Sequence, residues 1–456
     1  MVMGKRELTC DVAVLGGGPG GIPAALAAAR HGASVILCER NGYLGGNAAT
    51  GLPLLGYLSQ GGRQIIGGIA QEFIDDLMAS GDSFGHECCP LHNSVTLVHP
   101  DRFRLLALKK CLEAGVRLLF HTEVTGAVVK DGRLEKAIVT GKGDQVEISA
   151  KVFIDATGDG DLAYIAGAQY EKGSAIDHML QPPTLLFSVT GFNKEKLMDF
   201  LEAHPENMKQ IDTVSVGEGY NTKLWRSTDT YVFVGMKAYL DQIRKKTDCP
   251  ILRENIIIIN STIPGKVFLN IVRIPNCDCS DIESLSDAEV KAQLQVEGIF
   301  KILREYFPGF ENAVLDSISP AIGVRETRRF CGIEKVTVDQ ALAGYKPENT
   351  IALAGYKIDI HSGKWEGTLL QEVVEPYGIP LGSLISADLD GLLFSGRCIS
   401  VDHETLGSMR VMPTCMAIGQ GAGTLAACAA RQGISPKDVN YREVVGILLK
   451  DKAILR

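Results

Sequence analysis

The sequence predicts an α/β fold, in which a doubly wound parallel sheet carries a small antiparallel meander and receives an inserted α+β domain. Three observations lead to this prediction. Residues 10–40 read as strand, glycine-rich turn, helix and second strand; residues 126–148 alternate apolar and polar side chains; and a strand and helix of the first kind return at residues 392–431. The sheet domain is therefore discontinuous, over 1–180 and 391–456, and the inserted substrate or cap domain covers 181–390.

The first β-α-β unit justifies the start of this fold. An apolar run over 11–15 predicts a buried strand, the alanine-rich stretch 22–30 predicts a helix, and a second apolar run over 33–38 ends at Glu39. Between them, GGGPGG fits G-x-G-x-x-G through Gly16, Gly18 and Gly21.

Each residue type in this unit has a mechanical reason. Gly16 permits the tight turn, Gly18 lets the backbone approach a pyrophosphate, and Gly21 lets helix and strand pack closely. The N-terminus of the helix offers free N–H groups to phosphates. Glu39 can accept hydrogen bonds from a ribose diol. The unit predicts a dinucleotide site without distinguishing NAD from FAD.

The following segments extend the sheet domain. The glycine-rich loop NGYLGGNAATG, at 41–51, is expected at the carboxyl ends of the strands, where ligands bind. Helical periodicity over 65–79 and 100–114 precedes a strand over 116–120. Strands over 126–129, 136–140 and 145–148, joined around DGR and GKGD, form the meander. A buried strand over 152–155 then runs into ATGDGD.

The inserted domain begins where Pro182-Pro183 interrupts the chain. Strands are predicted over 184–190 and 267–274, and amphipathic helices over 194–203 and 287–306. The sheet domain resumes with a buried strand over 392–395, Gly396-Arg397, and a Gly/Ala-rich helix over 416–431.

Composition narrows the class of protein. Of 456 residues, 45% are apolar and 22% charged, as in a soluble globular enzyme, and the net charge of −8 argues against nucleic-acid or anionic-membrane binding. No apolar run approaches the ~20 residues of a membrane span. MVMGKRELTC leads directly into the first strand without the apolar region of a signal peptide, so we expect a cytoplasmic protein.

The twelve cysteines are scattered and contain no C-x-x-C, so the usual spacing of a zinc ribbon or an iron–sulfur cluster is absent and no metal site is predicted. Cys88-Cys89 and Cys277-Asp278-Cys279 could be redox-active or metal-binding. The alternative is that they are reduced thiols in loops.

Three blocks of sequence resemble a known family. They are VAVLGGGPGGI with ER and GGN, then FIDATGDGDLA, then GRCISVDHETLGSMRVMPTCMAIGQGAG, and GVRETRRFCG accompanies them. Together they resemble the FAD-dependent oxidoreductases of bacteria and archaea, among the glutathione-reductase-like and fumarate-reductase-like flavoproteins. The resemblance implies a Rossmann-like domain that binds FAD rather than NAD.

The resemblance also implies a set of cofactor-binding residues. The pyrophosphate would lie on Gly16, Gly18, Pro19, Gly20 and Gly21. The adenosine would meet Glu39, Arg40 and Val124, and the isoalloxazine would meet Gly45, Gly46 and Asn47. Further contacts near the dinucleotide or along the last helix would come from Ala156, Thr157, Gly158, Asp161, Gly396, Arg397, Gly419, Gly421 and Ala422. Many relatives carry Gly-Asp where this chain has Gly396-Arg397, so the usual ribityl contact is in doubt.

Two departures from better-known relatives concern the route of electrons. The sequence has no C-x-x-x-x-C redox pair near the flavin loop and no second G-x-G-x-x-G after a strand. Electrons would therefore arrive and leave through substrate, quinone, oxygen or a partner protein.

Four residues are candidates for the chemistry. His403 follows the last strand and could act as acid, base or substrate ligand, or it could serve a structural role. Arg410 in the same loop could bind an anionic substrate or flavin. Arg325 would share a helical face with Arg328 and Arg329 if VRETRRF is helical, either for anions or for ion pairs. His361, in a loop with Trp365, could cap the substrate pocket.

The function predicted is hydride transfer between flavin N5 and a small organic substrate. Clamping by arginine favours an activated alkene as acceptor, and an unpaired histidine base favours a secondary alcohol or sugar as donor. The alternative is a flavin-binding electron-transfer subunit that works with an iron–sulfur partner protein. The sequence leaves open a homo-oligomer.

Overall fold

The computed structural model describes residues 5–208, 219–363 and 367–456. Within these residues the α-helices are α1 (Gly21–Arg30), α2 (Gly68–Ala79), α3 (Pro100–Glu113), α4 (Asp161–Ile165), α5 (Lys194–Ala203), α6 (Thr222–Ser227), α7 (Lys237–Arg244), α8 (Ile282–Tyr306), α9 (Val338–Leu342), α10 (His403–Met409), α11 (Met412–Gln432) and α12 (Tyr441–Lys450).

The strands of the described chain are β1 (Lys5–Leu15), β2 (Val35–Glu39), β3 (Leu54–Leu55), β4 (Ser83–Cys89), β5 (Asn93–Val98), β6 (Arg117–Phe120), β7 (Glu123–Lys130), β8 (Arg133–Gly141), β9 (Asp144–Asp155), β10 (Tyr170–Lys172), β11 (Phe187–Thr190), β12 (Val232–Gly235), β13 (Ile256–Asn260), β14 (Lys266–Leu269), β15 (Val314–Ile318), β16 (Arg328–Phe330), β17 (Thr350–Ala354), β18 (Ile358–His361), β19 (Thr368–Gln371), β20 (Tyr377–Pro380) and β21 (Leu392–Phe394).

The central sheet confirms the predicted α/β class. Its order is β6-β2-β1-β9-β8-β7, with β21 pairing with β9. β6, β2, β1, β9 and β21 run parallel, and β7 and β8 are antiparallel. The prediction of separate strands over 145–148 and 152–155 was wrong, because β1 pairs along the whole of residues 145–155 and keeps β9 extended. The first half of β9 pairs with β8 of the meander, and its last residues pair with the parallel strand β21.

The last long helix, α11, packs against α1 on one side of this sheet. A Cβ atom at Gly419 would lie 2.1 Å from the carbonyl oxygen of Gly20, and one at Gly423 would lie 2.1 Å from that of Ala24. The two glycines are one turn apart, so they form a strip along which the helices touch by backbone. α11 begins four residues earlier than predicted, with Pro413 in its first turn, where proline is tolerated.

The second part of the fold is a five-stranded antiparallel sheet in the order β12-β13-β14-β11-β15. It packs on the buried face of α8, which consists of Ala288, Ala292, Val296, Ile299, Ile302 and Leu303. α8 begins at Ile282 rather than at the predicted 287, because the Asp281 side chain accepts a hydrogen bond from Ser284 N at 2.8 Å and caps it.

The apolar core divides into two clusters. One surrounds the central sheet and includes side chains from 330–385 as well as from both ends of the chain. The other takes residues from 185–322 and from 89–97, which include the hairpin β4–β5 that the sequence pattern did not predict. The domain boundaries at residues 180 and 390 stay a prediction. Because the second cluster ends at Ile322 and the first resumes at Phe330, the two clusters favour an end of the inserted domain near residue 325.

Candidate active site

The glycine-rich turn between β1 and α1 is closed on one side and open on the other. Gly16 has φ +107°, and a Cβ atom there would lie 2.3 Å from the carbonyl oxygen of Ala156. A Cβ atom at Gly21 would lie 1.8 Å from the carbonyl oxygen of Gly16, whereas one at Gly18 would meet nothing within 4 Å. The open side at Gly18 fits the approach of a pyrophosphate to the start of α1.

Glu39, at the end of β2, holds its carboxylate beside this turn. Its Oε2 accepts a hydrogen bond from Gly17 N at 2.7 Å, and its Oε1 accepts from Asn41 N at 2.8 Å and Asn41 Nδ2 at 2.7 Å. Oε1 thus uses both of its lone-pair sites, whereas Oε2 keeps one, so the fixed carboxylate can still accept one hydrogen bond from a ribose diol through Oε2. Val124 is half-buried on β7. It follows Thr122 by two residues, and Thr122 N donates a hydrogen bond to Glu39 O at 3.1 Å. Arg40 is exposed.

The turn after β9 is held by the buried Asp155. This carboxyl accepts hydrogen bonds from Thr157 N at 3.1 Å, Thr157 Oγ1 at 2.7 Å and Ala163 N at 2.8 Å. Burial raises the pKa of Asp155 to about 6. Thr157 Oγ1 in turn accepts from Asp161 N at 2.9 Å. Ala156, Thr157 and Asp161 therefore lie on a rigid turn beside Gly16, and their contacts with a cofactor stay predictions.

Arg397 lies where many relatives carry an aspartate. Its Nη2 donates to Asp159 Oδ1 at 2.9 Å, and a Cβ atom at Gly158 would lie 2.7 Å from the same nitrogen. Arg397 Nη1 is buried and has no hydrogen-bond partner among the described residues. Leaving a buried donor unpaired is costly. This N–H, after Gly396 (φ +80°), fits an oxygen atom of the dinucleotide.

The loop after β2 closes over the glycine turn. Gly45 N donates to Gly17 O at 2.8 Å, and a Cβ atom at Gly46 would lie 3.2 Å from Gly18 Cα and 3.3 Å from Pro19. Asn47 continues from this contact into the wall of a large cavity. The residues predicted to hold the two ends of FAD are therefore contiguous in space, and the cradle fits that cofactor.

The three residues predicted along the last helix make packing contacts. Gly419 faces the carbonyl oxygen of Gly20, Gly421 faces Ile351, and Ala422 is fully buried. Their direct contact with FAD stays a prediction. The helix reaches the cavity instead at its N-terminal end, with Val411 and Met412.

The cavity lies between the cofactor cradle and the five-stranded sheet and has a volume of about 210 Å³. Its walls are largely apolar, with Leu52, Pro53, Leu55, Leu91, Val232, Val234, Ile257, Ile259, Val324, Leu370 and Met412. Its polar lining includes Asn47, His92, Thr184, Arg253, Asn270, Arg325, Tyr356, Asp359, His361, Arg397 and Arg410. Arg325, His361 and Arg410, which the sequence offered as separate candidates, thus come together.

Besides Arg397, three arginines lie in this lining: Arg253 and Arg325 are buried, and Arg410 is half-buried. Arg410 Nη2 donates to Asp359 O at 3.0 Å and to Asp359 Oδ2 at 3.3 Å, and Arg325 Nη1 donates to Pro182 O at 2.5 Å. The Arg253 guanidinium donates to no residue in 5–208, 219–363 or 367–456. Burial, followed by the charge of Arg273, lowers the pKa of Arg253 to about 10.

Asp359 is the carboxylate that faces these cations. Burial alone would raise its pKa, but His361, Arg410 and Arg325 together lower the pKa of Asp359 below its usual range. Burial, with Arg253 and Arg410, lowers the pKa of Arg325 well below its usual range. Guanidinium remains charged in proteins, so the cavity holds more positive than negative charge.

His361 lies on β18, so the prediction of a loop was wrong; pairing with β19 places it in a strand. Its Nδ1 is 3.0 Å from Thr368 Oγ1 and its Nε2 is 3.3 Å from Asp359 Oδ1. Burial lowers the pKa of His361 well below its usual range, so the ring is neutral with both nitrogens engaged. Trp365 lies outside the described residues.

His403 begins α10 and lies outside the lining of the cavity. Its Nδ1 is 2.8 Å from Glu326 Oε1, a buried carboxylate that also pairs with Arg329 and accepts from Gln181 N at 3.3 Å. The geometry gives His403 a structural partner, and its catalytic role stays a prediction.

The helix that would place Arg325, Arg328 and Arg329 on one face does not form, and Arg329 follows the alternative of an ion pair, with Glu326. Residues 328–330 form β16, which pairs with β10, so neighbouring side chains alternate between the two faces of the strand. Arg328 donates to Asp159 O and Asp161 Oδ1, Arg329 pairs with Glu326, and only Arg325 reaches the cavity.

Sequence reasoning missed Arg253, Tyr356 and Asp359. A signal existed for Asp359, because the polar residues of YKIDIHS alternate with apolar ones and so place Asp359 and His361 on one face of a strand. Arg253, before the apolar strand β13, carries no such signal.

Among the described residues, no helix is long and apolar enough to cross a membrane, and no group of three or more His, Cys, Asp or Glu side chains is placed to hold a metal ion. A model of the family described as FAD dependent oxidoreductase matches residues 11–448. The chain belongs to this family. The protein is therefore an enzyme with FAD as its cofactor.

Curated relatives match a smaller part of the chain. Thiamine thiazole synthase of Aeropyrum pernix is 31% identical over 172 residues, which are 34% of this chain and 56% of the relative. That of Thermococcus kodakarensis is 27% identical over 163 residues, 34% of this chain and 60% of the relative. The chain thus spans less than two thirds of the length of these curated relatives.

Solved structures match over most of the chain at low identity. A geranylgeranyl bacteriochlorophyll reductase-like protein of Thermoplasma acidophilum is 13% identical, with 98% of this chain and 84% of the other covered and a TM-score of 0.48. A flavin-dependent brominase is also 13% identical, with 97% and 83% covered and a TM-score of 0.47.

Proposed function

We propose that this FAD-dependent oxidoreductase exchanges a hydride with a small organic anion whose carboxylate is bound by Arg253, Arg325 and Arg410. The observation that carries the proposal is the Arg253 guanidinium, buried in the cavity wall without a partner in the described chain. Bound FAD supplies the chemistry, since flavin N5 takes up or donates the hydride.

Electrostatics support an anion. The guanidiniums of Arg253, Arg325 and Arg410 face one carboxylate, Asp359, in a wall that is largely apolar. Burial of an uncompensated charge costs free energy, which the lowered pKa values of Arg253 and Arg325 reflect. A substrate carboxylate would offset this cost and could accept two parallel N–H bonds from a guanidinium. The apolar walls fit a hydrocarbon body.

The arrangement favours an activated alkene conjugated to the carboxylate over an alcohol donor. Oxidising an alcohol requires a base. His361 is engaged at both nitrogens, but within the described chain His92 in the same lining is held only through Nδ1, 3.5 Å from Cys89 Sγ, so the preference rests on the arginines. The arginines can stabilise negative charge that develops on a conjugated carboxylate during hydride addition.

The matching proton could come from Tyr356. Tyr356 lines the cavity, and burial raises the pKa of its phenol well above its usual range, so it remains protonated. Its hydroxyl has no hydrogen-bond partner in the described chain. A protonated phenol beside the substrate is suited to supply a proton to carbon while the walls exclude water.

The test is an anaerobic spectroscopic panel on the FAD-loaded enzyme. Enzyme with photoreduced flavin is mixed with α,β-unsaturated carboxylates and with their methyl esters, and return of the oxidised flavin absorbance is followed. Oxidised enzyme is mixed with secondary alcohols and followed for bleaching. We expect the acids, and not the esters, to reoxidise the flavin with saturation. Equal rates for acids and esters, or bleaching by neutral alcohols alone, would contradict the proposal.

A matched pair of variants connects the result to the cavity. Arg253→Met removes the guanidinium at similar side-chain length, and Arg304→Met does the same at an exposed position on α8. In Arg253→Met, flavin reoxidation should need higher concentrations of the acids to reach saturation, whereas in Arg304→Met the concentration needed should stay the same.

A further inference from the structure

Cys277 and Cys279 lie together at the start of α8. Their sulfur atoms are 3.5 Å apart, and both side chains are buried. A disulfide needs an S–S distance of about 2.05 Å, so the two sulfurs must approach by a further ~1.5 Å to bond.

The surroundings favour a thiolate at Cys277. Ser284, in the first turn of the 25-residue helix α8, directs its hydroxyl to Cys277 Sγ at 3.7 Å and accepts from Asp278 N at 3.0 Å. The positive end of a helix dipole stabilises a thiolate. The hydrogen bond shared with Cys279 lowers the pKa of Cys277 to about 7, and the same bond raises the pKa of Cys279.

Charged groups around the pair are mixed in sign. Asp278 pairs with Lys172, and Asp287 lies on α8. On the other side, Asp159 and Arg397 act on Cys279. The helix start and the serine hydroxyl are thus the features that set this site apart from an ordinary buried thiol.

The segment that carries the pair is bonded to the cofactor cradle. Arg328 Nη2 donates to Ser280 O at 3.2 Å, and its Nη1 donates to Asp159 O at 3.1 Å and Asp161 Oδ1 at 3.2 Å. One guanidinium therefore joins the loop after Cys279 to the turn that follows β9.

The other adjacent cysteines of the chain provide a contrast. Cys88 and Cys89 are neighbours on β4, so their side chains point to opposite faces; Cys88 is exposed and Cys89 is buried. Two residues on opposite faces of a strand cannot bring their sulfurs together without a change of backbone.

We propose that Cys277 and Cys279 form a redox-active dithiol that undergoes thiol–disulfide exchange with small-molecule disulfides. The Cys277 thiolate attacks one sulfur of the disulfide, its S–S bond breaks, and the first thiol leaves with a proton. Cys279 then loses its proton and its sulfur attacks Cys277 Sγ, which releases the second thiol. The protein gives up two electrons and two protons and gains one S–S bond, and the small disulfide becomes two thiols.

The test uses the FAD-loaded protein, glutathione disulfide as probe, alkylation of remaining thiols, and mass spectrometry after trypsin. Residues 274–291 form one tryptic peptide that contains Cys277, Cys279 and no other cysteine. We expect this peptide to lose two hydrogen atoms and to resist alkylation, and reducing agent to reverse both effects. The peptide with Cys88 and Cys89 should form no internal disulfide.

Single variants separate the two roles. Cys279→Ser should trap glutathione on Cys277, because the resolving sulfur is gone, whereas Cys277→Ser should leave Cys279 unmodified. Two alkylated thiols in the native protein, identical behaviour of the variants, or oxidation only after unfolding would overturn the proposal. The experiment measures a peptide mass and uses no substrate of the flavin reaction, so its result does not depend on the proposed hydride acceptor.

Discussion

The cofactor cradle and the substrate cavity are built in opposite ways. The cradle is made of backbone in short turns, where close contacts at Gly16 and Gly21 leave no room for a side chain and Gly18 stays open. The cavity is made of side chains from distant segments, since Arg253, Arg325, Asp359 and Arg410 are each at least 34 positions apart in the sequence. For this reason the cofactor can be predicted from local sequence, whereas the residues that line the cavity can be identified only in the assembled fold.

The largest effect is expected from two alanine substitutions in the cradle. Gly21→Ala would place a Cβ atom 1.8 Å from the carbonyl oxygen of Gly16, and Gly18→Ala would place one in open space. We expect Gly21→Ala to reduce the free energy of unfolding by about 2 kcal/mol or more, and Gly18→Ala to keep stability while weakening FAD binding. Thermal unfolding without FAD and titration with FAD measure the two effects; equal loss of stability would contradict them.

In the cavity, removal of one cation should separate function from stability. Arg253→Met is expected to raise KM for the organic anion by roughly 10- to 100-fold, since a hydrogen bond to a charged group contributes about 1.5–3 kcal/mol. It should also raise the melting temperature, because an unpaired buried charge is removed. Steady-state kinetics and thermal unfolding test this, with Arg304→Met as control. A lower melting temperature with unchanged KM would contradict it.

Buried groups in the two regions should give opposite pH dependences of stability. The pKa of Asp155 in the folded protein is raised from 3.8 to about 6, so its contribution to the free energy of unfolding falls as pH rises from about 4 to 6. Burial lowers the pKa of His92 from 6.5 to about 4, so its contribution is lost as pH falls over the same range. Each is on the order of 3 kcal/mol. We would measure the free energy of unfolding by denaturant from pH 4 to 7 and plot it against pH. Relative to the native protein, the slope of this plot should change in opposite senses in Asp155→Asn and His92→Phe; changes in the same sense would refute this assignment.

The smallest effect is expected at His403. Because its Nδ1 bonds to Glu326 outside the cavity lining, His403→Gln should change kcat by less than about tenfold, or ~1.4 kcal/mol. Gln can keep a hydrogen bond to the same carboxylate. A loss of several orders of magnitude in kcat, with stability unchanged, would instead establish the catalytic role that the sequence suggested. His361→Gln provides the comparison within the cavity.

Prediction from sequence succeeded where structure is local and failed where partners are distant. α5 has the predicted bounds, and the β1–α1–β2 unit and its acidic end at Glu39 occur as expected. A shared face for the three arginines of VRETRRF required a helix there, and the pairing of β16 with β10 makes residues 328–330 a strand instead. His361 was assigned to a loop because β19, its partner, could not be recognised from sequence.

The amino-acid sequence alone was enough to predict the glycine-rich turn, the family and the FAD cofactor, because each depends on short blocks of consecutive residues. Which charged side chains line the cavity depended on the tertiary structure. Arg253 and Tyr356 carry no local pattern, and they reach one cavity only because the five-stranded sheet packs over the cofactor cradle. The proposed site for an organic anion depends on the cost of burying unpaired guanidiniums, and burial is a property of the whole fold.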